Sequence, residues 1–183
     1  MSCSVLVIPE DPTYNGYILR PLVSKLLEGC GKGNAKVQVL LNPKVSGFEH
    51  ACGSMPAIVD RYGYLDLLLF LPDADGKDRS GQFARLESEY GRKLICCAAV
   101  QEVEAWLLAG HTDKLPRPWR EIQADVSVKE NVFVPFLNEF GDSRQPGGGR
   151  EALMQQTLTN LRGLLERCPE LAVLQRRICE ALA

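Results

Sequence analysis

Asp66-Leu67-Leu68-Leu69-Phe70-Leu71-Pro72-Asp73-Ala74-Asp75-Gly76 is an apolar run that ends in two carboxylates one residue apart. A run that is apolar at every position, not at alternate ones, predicts a strand covered on both faces, as in a parallel sheet between helices. Ligands of such sheets bind outside the carboxyl ends of the strands, where Asp73 and Asp75 stand. Two hard oxygen donors at that place make a divalent-cation site for Mg2+ or Mn2+ the first chemistry to consider.

Outward from this strand the chain alternates strand and helix. Cys3 to Ile8, Val37 to Leu41 and Leu94 to Val100 read as three further strands. Between them, Leu19, Leu22, Val23 and Leu26 follow helical spacing up to Gly29, with Pro21 fitting a first turn or a kink. Residues 55–62 and 81–90 are expected as the second and third helices, and 101–109 as a helix starting at the end of the fourth strand. This β-α-β-α-β-α-β order predicts an α/β fold of three layers around a central, mainly parallel, four-stranded sheet. Residues 111–149, rich in proline near Trp119 and closed by Gly147-Gly148-Gly149, are expected as an irregular excursion from the core of residues 1–110. Residues 150–183 are expected to add a C-terminal helical hairpin packed on that core, one helix marked by Met154, Leu158, Leu161 and Leu165 and a second by Leu171, Leu174, Ile178 and Leu182.

Composition narrows the function classes. At 183 residues, with 45% hydrophobic and 24% charged residues, the chain fits one domain able to bury its own core. No stretch is long and apolar enough to suggest a membrane span, and the first residues lack the basic segment of a signal peptide, so a cytoplasmic protein is expected. The seven cysteines are odd in number and without framework spacing, which predicts reduced thiols, and two histidines without a Cys-x-x-Cys pair argue against structural zinc. A formal charge of −2 excludes a basic nucleic-acid-binding module by composition, though not a local basic patch.

Carboxylates recur at the strand ends. Glu10 follows the first strand, Asp73 and Asp75 the third, and Glu102 and Glu104 the fourth. In a parallel sheet these ends share one edge, so Glu10, Asp73, Asp75, Glu102 and Glu104 can converge there and are all candidate metal ligands. Convergent acids repel one another, and a cation or a raised pKa must compensate. On a helix Glu102 and Glu104 would lie about 200° apart and could not share an ion; if the helix starts later, Glu102 sits in non-helical backbone, and the sequence does not choose. Such a constellation suits phosphoryl transfer or phosphodiester hydrolysis, in which Mg2+ offsets phosphate charge while Glu10 moves a proton. Lys77 and Arg79 are candidate phosphate contacts, weighed against an ordinary solvated helix start. His50, His111, Trp106 and Cys96-Cys97 are expected to be structural, and Gly147-Gly148-Gly149 to be a linker, since it lacks the flanking pattern of a P-loop.

The order strand-Glu10, strand-Asp73-Ala74-Asp75, strand-Gln101-Glu102-Val103-Glu104-Ala105-Trp106 resembles the Toprim-like fold, and within it an uncharacterised family of small bacterial proteins related to OLD-type nucleases. The resemblance covers about the first 110 residues. It implies Glu10 as general acid or base and Asp73 and Asp75 as magnesium ligands. It also implies a nuclease acting on nucleic acid in bacterial defence or repair, with an ATPase partner, while the modest size and near-neutral charge lead us to expect that such a partner or self-association supplies the grip on substrate. Asp11 stands where the relatives usually have glycine, and Tyr14 where they often have a second glutamate. These departures keep open a non-catalytic interaction protein of the same fold. A small metal-dependent phosphatase or nucleotide-sugar enzyme using the Asp-x-Asp is a third reading.

Overall fold

A computed structural model describes residues 3–183. Strands β1 (Ser4–Ile8), β2 (Lys36–Val39), β3 (Leu67–Phe70) and β4 (Leu94–Cys96) form one sheet of order β2-β1-β3-β4. Every neighbouring pair is parallel. The connections are helices α1 (Asn15–Gly29), α2 (Phe48–Tyr62) and α3 (Ser80–Tyr90). The chain steps from β1 outward to β2, returns past β1 to β3, and continues outward to β4. Crossovers of one hand must then place α1 on one face and α2 and α3 on the other.

The packing follows that rule. Val5, Val7, Leu67, Leu69 and Ile95 share one core with Ile18, Leu22 and Leu26 of α1. Leu6, Ile8, Leu68, Phe70 and Leu94 share a second with Met55 and Ile58 of α2 and Leu86 of α3. Both faces of β1 and β3 are thus buried, which is why their sequences do not alternate. The edge strand β2, Lys36-Val37-Gln38-Val39, is the one that alternates between exposed and half-buried.

One crossover helix cannot cover a face of four strands, and the chain beyond β4 completes the α1 layer. It forms α4 (Glu104–Leu108), α5 (Trp119–Gln123), a π-type turn over Lys129–Phe133, α6 (Val134–Phe140), α7 (Arg150–Leu158), α8 (Leu161–Arg167) and α9 (Pro169–Ala181). Trp106, Ile122, Val128, Phe133, Leu153, Leu164 and Ile178 all enter the core that holds α1. None of the helices among the described residues is long and apolar enough to cross a membrane.

Several boundaries differ from the sequence expectation. Helix α2 starts at Phe48, seven residues before the expected Met55, because Phe48 and Ala51 continue the buried stripe of Met55 and Ile58. The ring of His50 also accepts the Ser46 N–H at 3.1 Å at this start. Strand β4 stops at Cys96, and the expected single helix from Met154 to Leu165 breaks at Asn160, whose side chain accepts the Gly163 N–H at 3.0 Å and starts α8. Pro21 lies in the second turn of α1, inside the helix.

The cysteines depart most. Cys30, at the end of α1, and Cys179, in α9, form a disulfide with Cα atoms 5.1 Å apart, while Cys3, Cys52, Cys96, Cys97 and Cys168 remain free. A pairing across 149 positions leaves no trace in local spacing. It forms because α9 lies along α1, where Gln175 also donates to the Leu26 carbonyl at 3.3 Å. In a reducing cytosol the same residues are expected as two thiols. Closing so long a loop constrains the unfolded chain, so Cys179→Ser or reduction is expected to lower stability by about 2–4 kcal/mol in urea titrations. Equal midpoints for oxidised and reduced protein would show that the bond contributes nothing.

Candidate functional site

The strand order turns back on itself at β1: the first connection leaves toward β2, and β3 arrives on the opposite side. In an open parallel sheet this creates a crevice outside the carboxyl ends of the two strands. Glu10 follows one of them and Asp73 and Asp75 follow the other, so the chain's topology places these acids at the crevice.

Local backbone fixes the aspartates. Asp73 bridges Ala99 in parallel fashion, and the N–H groups of Ala74, Asp75 and Gly76 donate to the carbonyls of Ala99, Gln101 and Val100, each at 3.0 Å. The acidic turn and the segment after β4 therefore form one unit. Asp75 (φ 52°) and Gly76 (φ 67°) are both left-handed. Aspartate tolerates that conformation better than most side chains. At Gly76 a Cβ would also press to 3.1 Å from the Gln101 amide oxygen. Because α4 begins only at Glu104, Glu102 lies in the turn ahead of it. The helical separation of the two glutamates therefore does not apply.

Asp73 is the centre of the charges. It is 7% exposed, and one of its oxygens accepts the Val103 N–H at 2.7 Å. Burial, then the charges of Glu104, Glu10 and Glu102, raise its pKa to about 8 despite that bond. Burial and the nearby Asp75 raise Glu10 to about 6, against lowering contributions from the Asp73 backbone and Arg79. Burial likewise raises Glu102, although its carboxylate accepts the Lys129 N–H at 2.8 Å.

Glu104 is 1% exposed. Among the described residues its one charged partner is Lys129, with Nζ 3.2 Å from Oε1, and neither of its oxygens has a well-formed hydrogen bond. Among the same residues Oε2 of Glu10 is also unpartnered.

The two candidate phosphate contacts differ. Lys77 is exposed. Arg79 is not a free surface cation: its guanidinium lies 3.7 Å from the centre of the Phe48 ring, and its side chain is 10% exposed. It reaches Asp75 and Glu49 at 4.0 Å each, too far for strong pairs, and its Nε is unpartnered.

Lys129 is the residue that sequence reasoning missed. It stands in the excursion, where Val128, Val132, Phe133 and Phe136 at helical spacing signalled a packed element. His50, His111, Trp106, Cys96 and Cys97 stand apart from the acids or in the core. Trp106 donates to Glu170 at 2.8 Å, and the His111 ring meets the Leu153 carbonyl at 3.0 Å.

The donors fit a hard cation: carboxylate oxygens, several without hydrogen-bond partners, in a region of surplus negative charge. Among the described residues no three Asp, Glu, His or Cys side chains are gathered closely enough to hold an ion by themselves. Water or a substrate's phosphate oxygens would have to complete the shell, the usual arrangement for magnesium. Comparison with models of protein families, with characterised proteins and with solved structures gave no match for this chain.

The buried acids set a pH dependence. Native Asp73 keeps its proton up to about pH 8, whereas the unfolded group loses it near 3.8. The native state binds more protons throughout that window, so stability falls as pH rises through it and levels off above it. Glu10 adds to the fall between about 4.5 and 6. In chelator-containing buffer the loss between pH 5 and 8 is expected to be on the order of a few kcal/mol, and Asp73→Asn should flatten most of it. Urea titrations at three pH values check this; a wild-type profile that rises over the range would contradict it.

Proposed function

We propose that this chain is a divalent-metal-dependent phosphodiester hydrolase acting on nucleic acid, a Toprim-like nuclease in the sense of the resemblance noted above, working in bacterial defence or repair beside an ATPase partner. What carries the proposal is the meeting of Glu10 with Asp73 and Asp75 where the strand order reverses, in a setting with more carboxylates than nearby bases. Asp73 and Asp75 would hold the metal, with Glu104 or Glu102 behind Asp73. A bound magnesium or manganese ion would supply charge neutralisation at the phosphate and a more acidic water.

The remaining roles belong to the chain. Glu10, raised to about 6, is poised to accept or return a proton near neutral pH. Its unpartnered oxygen leaves that function unblocked. Arg79, held over Phe48, keeps a fixed positive charge beside Glu10 and Asp75. Exposed Lys77 is placed in the same turn to meet a phosphate backbone.

One observation favours the non-catalytic alternative. Tyr14, at the place where the resembled proteins often carry a second glutamate, lies under the Arg150 guanidinium at 4.3 Å and brings no ligand to the site. Calorimetric titration separates the two readings. Mn2+ and Mg2+ are expected to bind saturably to wild type and not to the Asp73→Asn/Asp75→Asn variant, and Glu10→Gln should keep binding while losing about 100-fold or more of Mn2+-dependent cleavage of DNA or RNA. Metal binding that survives in the double variant would sink the metal assignment, and absence of binding to wild type would favour the interaction protein.

A further inference from the structure

Lys129 supplies something that the proposed hydrolysis does not require. Two attachments hold it. Its backbone N–H donates to Glu102 at 2.8 Å, and its ammonium lies 3.2 Å from Glu104. Glu104, Glu102 and Asp73 all act on that ammonium and together raise its pKa, overriding burial, which alone would lower it. The charges thus fall into two groups that meet at Asp73. Glu10 and Asp75 have Arg79, and Glu102 and Glu104 have Lys129. Carboxylates thus outnumber the two bases at this edge.

We infer that Lys129 is the internal counter-ion of this site, a positioning residue whose ammonium competes with a divalent ion for the negative charge of Glu104 and so sets the metal affinity. The inference rests on the metal assignment above. Three features carry it. Among the described residues Glu104, 1% exposed, has no hydrogen-bond partner on either oxygen, and the Lys129 ammonium is the cation that compensates its charge. The lysine side chain is 34% exposed, so its flexible stem has somewhere to go when displaced. The backbone bond to Glu102 does not use the side chain, so the segment stays docked if the ammonium leaves.

A structural lysine and a competing one predict opposite results. Lys129→Met removes the charge and keeps most of the stem. The metal then meets no competing cation and gains the full charge of Glu104. Mn2+ affinity, measured by calorimetry at one pH and ionic strength, is expected to tighten at least about tenfold, the size expected for a unit charge a few ångström from a divalent ion even under water-like screening. Lys129→Arg keeps the charge and should bind within about threefold of wild type. Circular dichroism of each variant checks that it is folded. Equal or weaker binding by Lys129→Met, with wild type still binding, would overturn the competing role and leave the metal site standing. No binding by wild type, Lys129→Met or Lys129→Arg would overturn both.

Discussion

The fold is organised around the burial of one carboxylate. Asp73 follows β3 where the sheet closes against the segment following β4, and it has only the Val103 N–H as a direct hydrogen-bond donor from that segment. Three backbone bonds from the next residues make the closure rigid. Glu102 and Glu104 are carried to Asp73 by the same closure, and Lys129 is drawn in to meet them. The path of the excursion across the α1 face is therefore fixed near its middle by charge and by the burial of Val128, Phe133 and Phe136. Leaving such a carboxylate ionised and uncompensated would cost several kcal/mol, enough to decide its protonation or its need for a cation.

The covering helices hold this edge in place. Trp106 of α4 donates to Glu170 of α9, and Thr157 of α7 donates to the Leu107 carbonyl at 2.6 Å. Arg177 of α9 reaches both the Cys96 carbonyl and Glu87. The short helix that presents Glu104 is thereby pinned from two sides by elements that come much later in the chain. Positioned carboxylates need such support, because a shift of about an ångström is enough to lose a productive geometry.

The strands were legible because buried parallel strands announce themselves as unbroken apolar runs, and Leu67–Leu71 is long enough to be unambiguous. The acids were legible for a topological reason: once the sheet is parallel, every strand end lies on one edge. What escaped notice was set by contacts distant in sequence. The glycine-, asparagine- and proline-bearing stretch after β2 masked the start of α2, whose first turns are held by burial of Phe48 and Ala51. The apolar spacing from Met154 to Leu165 runs straight through a break that only the Asn160 cap reveals. Lys129, in a segment rich in prolines, glycines and charges, carries no local sign that its partners lie 25 and 27 residues back, at Glu104 and Glu102. Cys30 and Cys179 were hidden in the same way.

The two bases at the edge are not equivalent, and their difference bears on what the site can do. Arg79 is confined over Phe48 by a cation–π contact at 3.7 Å, so it is a fixed part of the electrostatic frame around Glu10 and Asp75. Lys129 ends in a compact ammonium on a flexible stem, joined to Glu104 without full hydrogen-bond alignment. The fixed charge lies on the side of the proposed proton-transfer group, where it partly offsets the burial and the Asp75 charge that raise Glu10. The displaceable charge lies on the side of the deepest carboxylate, where any cation that enters must take over the compensation. An edge with surplus negative charge and one releasable cation is physically disposed to exchange cations, whereas one closed by two fixed guanidinium groups would be a permanent structural pair.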